Sequence, residues 1–151
     1  MPVSARYNFH QNFSVSAREA FDWCTAFDAD DNALMGDNEA NREIIHIANG
    51  SLLLKDTFPT PKGTVEKQKL VALYPNQHQW TSTHLTGPNR HSQFLYTITP
   101  KGKNSSVLEF TAVHIEYDEK ADSDALAERL CREDAAAWVR LAKAMATELR
   151  K

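Results

Sequence analysis

This chain predicts an α+β fold, an antiparallel sheet joined to one long C-terminal helix, and three observations carry the prediction. Between residues 42 and 117, stretches of strand texture alternate with clusters of Gly, Pro and Asn. The breaks between those stretches are short, and short connections make neighbouring strands antiparallel. The last segment carries a single apolar stripe at helical spacing.

Taken in order, Tyr7, Phe9, Gln11, Phe13 and Val15 alternate with Asn8, His10, Asn12 and Ser14, so residues 6–15 read as a strand with one buried face. Ser16 and Glu19 have capping-box spacing. Ala20, Phe21, Trp23, Cys24 and Phe27 continue that helix, and a second short helix is expected from Asp30 to Met35, stopped by Gly36. Strands are predicted over 42–48 and 51–57, joined by the hairpin signal Asn49-Gly50. Further strands are predicted over 64–74, 78–86, 91–99 and 105–117, each ending in turn chemistry. The final helix spans 123–150, capped by Ser123 or Asp122. Its stripe is Leu126, Leu130, Ala137, Trp138, Leu141, Met145 and Leu149. Burying each large member is worth roughly 1.5–3 kcal/mol. Such a helix does not persist on propensity alone, so the stripe requires the sheet as its partner.

Bulk properties narrow the function classes. The 151 residues are expected to form a single domain, 1–151. The net charge is −3 and no basic run stands out, so no nucleic-acid partner is expected. No apolar run approaches the roughly 20 residues of a membrane span. The N-terminus shows no secretory core, so a soluble, cytoplasmic protein is expected, monomeric or homodimeric. Cys24 and Cys131 form no CxxC motif and are expected as reduced thiols.

The element order resembles the START-like, or SRPBCC, superfamily, also called the helix-grip fold. Phe21-Asp22-Trp23-Cys24-Thr25-Ala26-Phe27 with Leu34-Met35-Gly36 looks like that family's paired short helices. Lys69 to Pro75 leading to Trp80-Thr81-Ser82 looks like its central hairpin. Phe94 to Pro100, the turn 101–104 and Ser106 to Phe110 look like its last hairpin. The resemblance implies a curved seven-stranded antiparallel sheet wrapped around the C-terminal helix, with two short helices after strand one. It also implies a cavity for lipids, polyketides or other apolar molecules, and some members are cyclases or hydrolases.

Alternation then names a lining. Trp80, Ser82 and His84 are expected to face inward, as are Phe94, Tyr96 and Ile98. In the last strand Leu108, Phe110 and Ala112 start inward. The apolar set then passes to Val113, Ile115 and Tyr117, which predicts a bulge near Ala112. Without a bulge, His114 and Glu116 point inward instead. Trp138 and Met145 are expected to close the pocket from the helix, with Met35 and Phe58 at its rim. Trp80, Tyr96, Phe110 and Trp138 would form the walls, and His84, Tyr96 and His114 the polar handles.

No catalytic residue, metal site or cofactor is expected. The six histidines show no HExxH or other tight ligand spacing. His78 and His84 share a strand face but stand about 20 Å apart. No GxSxG, P-loop or GxGxxG occurs. The expected function is binding of a small hydrophobic or amphipathic ligand. One alternative is an enzyme pairing His84 or His114 with Glu109 or Glu116 as acid and base. Another is a protein-interaction module.

Overall fold

The computed structural model describes residues 2–27, 40–118, 120 and 122–150. Its strands are β1 (Val3–Phe13), β2 (Asn41–Ala48), β3 (Ser51–Thr60), β4 (Gly63–Tyr74), β5 (Gln79–His84), β6 (Gln93–Gly102) and β7 (Ser105–Glu116). The helices are α1 (Ala17–Cys24) and α2 (Ser123–Leu149). The seven strands form one open antiparallel sheet in the order β1-β7-β6-β5-β4-β3-β2. The expected helix at 30–35, and with it Met35, lies outside the described residues. Among those residues, no helix is long and apolar enough to cross a membrane.

Caps begin both helices as their sequences require. The Ser16 hydroxyl accepts from the Glu19 amide at 3.2 Å and donates to the Glu19 carboxylate at 3.0 Å. Asp122, rather than Ser123, caps α2 by accepting from the Ala125 amide at 3.1 Å. The Ser123 hydroxyl instead donates to the carbonyl of Ser4 and starts a seam between α2 and β1. Cys131 then reaches the Asn8 carbonyl, Tyr7 meets Asp134, Trp138 packs by Phe13, and Arg150 donates to Ser14. The 27-residue helix and the 11-residue strand match in length, at about 40 and 36 Å. The Trp23 indole donates to Glu148 at 2.8 Å and ties α1 to the far end of α2.

The turns account for the strand boundaries that differ from expectation. Gly50, at φ +76°, makes the β2–β3 reversal, and its carbonyl accepts from the Leu73 amide. β5 starts one residue late because His78 takes a left-handed conformation after the 3-10 turn Pro75–Gln77. It ends at His84, since beyond that point Leu85 and Thr86 turn away from β6 and bond to Gln68 of β4. His91, at φ +74°, delays β6 until Gln93. β6 runs on to Gly102 with one register shift after Pro100. Pro100 lies past the end of β5, where the ladder asks for no amide donor.

The bulge expected near Ala112 is absent. Register runs unbroken from Ser106 to Glu116 against β1, and through Val113 against β6. His114 is therefore buried at 7% exposure, while Val113 is outward at 36%. The apolar switch in the sequence misleads because the inner face at this end of β7 is polar. His114 and Glu116 satisfy each other there at 2.8 Å. Ser92 extends the ladder by exchanging two hydrogen bonds with the Ile115 backbone.

Candidate ligand-binding cavity

Because α2 lies along β1 at one margin of the sheet, it covers only part of the concave face. A cavity of about 290 Å³ remains over the other part. Trp23, Cys24 and Phe27 bound it from α1 and the turn after it, and Trp138 and Leu141 from α2. The sheet supplies Arg42, Leu54, Phe58, Lys67, Lys69, Val71, Trp80, Ser82, His84 and Tyr96. Strand alternation produces this set. Register places Leu54 opposite Lys69, Lys69 opposite His84, Val71 opposite Ser82 and Trp80 opposite Tyr96, so each pair points to the same side.

The apolar part of the wall is an aromatic stack. Trp80 lies on Tyr96 with ring centres 4.6 Å apart and planes 3° from parallel. Phe21 meets Trp80 edge-on at 5.9 Å, and Trp138 stands 6.0 Å from Tyr96. Beneath them Phe110 meets Tyr96 edge-on at 5.1 Å and stacks on Phe9 at 4.7 Å. Such offset and edge contacts fix ring positions beyond what burial alone does.

Of the eight residues expected to line a pocket, Trp80, His84, Tyr96 and Trp138 border the cavity. Phe94, Phe110 and Met145 are buried in the core cluster and are not among its lining residues. Leu141, one helical turn before Met145, takes the position expected of it. His114 is inward but pairs with Glu116 away from the lining. Phe58 borders the cavity as expected of a rim residue.

The opposite end of the cavity is charged, which the sequence reading did not foresee. Asp56 is 0% exposed and takes two short bonds from Arg42, Nε at 2.6 Å and a terminal nitrogen at 2.8 Å. The Lys69 amine lies 4.0 Å from the same carboxylate. Burial holds the Lys69 amine below its usual range, with Asp56 opposing the shift. Lys67 sits over the Phe58 ring at 5.1 Å. Parity was the available signal: Asp56 continues the inward series Leu52, Leu54, and Lys67 and Lys69 continue that of Val71.

A second polar group lies between sheet and helix. The Tyr7 hydroxyl donates to Asp134 at 2.5 Å. Burial raises the Asp134 carboxyl above its usual range, against the hydrogen bond from Tyr7. Burial, then the Asp134 charge, raises the Tyr7 and Tyr96 hydroxyls, so both stay protonated. Asp134 stands four residues from both Leu130 and Trp138, in the middle of the apolar stripe, and that position was its signal.

His84 is the titratable group in the lining with the clearest consequence. Burial first, then the nearby Lys69 charge, push its imidazole down to about 3 from 6.5. Between those values the unfolded chain binds a proton that the folded chain refuses. Stability therefore falls as pH drops through 6.5 and continues falling toward 3. His84→Gln is expected to flatten this part of the stability curve, measured by urea denaturation at several pH values. An unchanged slope would show that His84 is not held neutral.

Among the described residues no group of three or more His, Cys, Asp or Glu is placed to hold a metal ion. Cys24 on α1 and Cys131 on α2 form no disulfide with each other.

No protein-family model matches the sequence, and no curated protein matches it significantly. Solved structures do match in shape. The Zhui aromatase/cyclase from Streptomyces sp. R1128 superposes with a TM-score of 0.71 at 14% identity, over 96% of this chain and 93% of that one. Norcoclaurine synthase from Thalictrum flavum, solved with dopamine and hydroxybenzaldehyde, gives 0.69 at 15% identity over 97% and 88%. A protein from Thermus thermophilus gives 0.70 at 7% identity over 95% and 98%. At these identities the likeness is one of architecture, and with the open seven-stranded sheet, the helix after β1 and the long α2 it settles the fold: this chain has the helix-grip fold.

Proposed function

We propose that the protein binds a small amphipathic molecule in the cavity between the sheet, α1 and α2. The observation that supports this reading is a void of about 290 Å³ walled by Trp80, Tyr96, Trp138 and Leu141 at one end and by ionisable side chains at the other. An apolar wall with a few oriented polar groups is the usual form of a small-molecule site. An unfilled volume of this kind costs contacts, which a ligand restores. The Thalictrum enzyme of the same fold was solved with two small aromatic molecules, which agrees with an aromatic or aliphatic body of modest size.

Native mass spectrometry of protein purified from its own host is expected to show a small-molecule adduct, which Ser82→Leu, a substitution that fills the cavity, removes. A folded wild type with no adduct, and no apolar compound able to raise its melting temperature, would sink the proposal.

A second reading, an acid–base enzyme, draws on the buried His114–Glu116 contact at 2.8 Å. Two structural neighbours named as an aromatase/cyclase and a synthase agree with it. Binding is preferred because that pair does not border the cavity, whereas a general base must reach its substrate directly or through one water.

A further inference from the structure

The cavity has a direction. Its aromatic end is formed by Trp80, Tyr96 and Trp138, which carry no formal charge. Among the described residues its other end gathers Arg42, Lys67 and Lys69 around one carboxylate, Asp56. Asp56 is fully buried and engaged in both short bonds from Arg42, so it offsets one of the three cations. Among the described residues it is the one carboxylate within 4.0 Å of the Lys69 amine. Lys67 stands opposite Asp56 in register, with its amine over the Phe58 ring. Among the described residues three basic side chains thus share one carboxylate in a partly desolvated space, where a charge interacts more strongly than in water.

Spacing adds to this. Lys67 and Lys69 are alternate residues of β4, on the same face and about 7 Å apart along the strand. A planar carboxylate placed between two such amines offers an oxygen to each. His84, opposite Lys69 in register and neutral, provides a further polar contact without adding a competing charge.

We propose that the ligand of this cavity is an organic acid, held with its carboxylate between Lys67 and Lys69 and its apolar body on Trp80, Tyr96 and Trp138. The inference rests on the ligand-binding reading above and assigns its polarity. An anion here is held by charge-assisted hydrogen bonds, the stronger class of polar contact. A neutral head would leave the two amines with Asp56, already bonded to Arg42, as their nearby counter-charge among the described residues, and a cationic head would be repelled.

Three probes of one shape test it: 2-naphthoate, 2-naphthamide and 2-naphthylmethylammonium, titrated calorimetrically into the full chain. The naphthoate is expected to bind about tenfold tighter than the amide, the gain of one charge-assisted contact, and the ammonium weakest. Lys69→Met and Lys67→Met are each expected to remove most of that preference. Among the described residues no carboxylate lies within 4.0 Å of the Lys67 amine, so Lys67 serves as the variant less coupled to folding. Equal affinity for naphthoate and amide overturns the inference and leaves the ligand-binding reading intact. So does a naphthoate preference that survives both substitutions. Failure of all three probes to bind the folded protein removes both together.

Discussion

Asp56→Ala is expected to destabilise the protein by about 3–5 kcal/mol, the range for removing one partner of a buried ion pair. The carboxylate is fully buried, and the Arg42 side chain that bonds it is only 6% exposed. Without Asp56 the guanidinium loses two short bonds, and Lys69 loses the nearby charge that opposes its desolvation. Urea denaturation at neutral pH measures the effect. The double variant Arg42→Met/Asp56→Leu is expected to lose less than Asp56→Ala alone, because it removes both charges and returns apolar volume. A single-variant loss under about 1 kcal/mol would mean that water reaches the pair and screens it.

Trp80→Ala is expected to cost about 3–5 kcal/mol, as aromatic truncations in a core do. Trp80 is buried, lies flat on Tyr96 and meets the edge of Phe21, so its loss loosens α1 as well as the sheet. Because the indole is also a cavity wall, the same change enlarges the void. An apolar compound bulkier than any the wild type accepts is therefore expected to recover part of the lost stability. Trp80→Phe, which keeps a ring in the stack, is expected to lose less. Thermal melting with and without added compound checks both points, and a mild loss in Trp80→Ala would show that α1 does not depend on this ring.

Much of the architecture was legible because strand period, turn residues and the α2 stripe agree with one another. Asn49-Gly50, Pro75-Asn76 and the run Pro100 to Asn104 mark three of the reversals, and alternation turned Trp80, Ser82, His84 and Tyr96 to the correct side. Reading failed where a position's polarity opposed its facing. Val113 is apolar yet points outward, and His114 is polar yet buried, so hydropathy placed a bulge where the backbone has none. Asp56, Lys67, Lys69 and Asp134 were passed over for the same reason, since a charged residue reads as a solvated one until its neighbours on the same face are counted. Depth is a separate matter. Period two states which face a side chain takes but not whether it meets a void or another side chain. Phe94 and Phe110 therefore went into the packed core while Tyr96, on the same strand as Phe94, reached the cavity.

The α2–β1 seam has a consequence for synthesis. Strands β2 to β6 meet their sheet neighbours within short hairpins as soon as they are made, whereas β1 pairs only with β7, about a hundred residues later. At ordinary ribosome speeds that interval is on the order of ten seconds. Throughout it, Tyr7, Phe9 and Phe13 stay without their native cover, and nascent chains are then most open to chaperone capture or mispairing through this first strand.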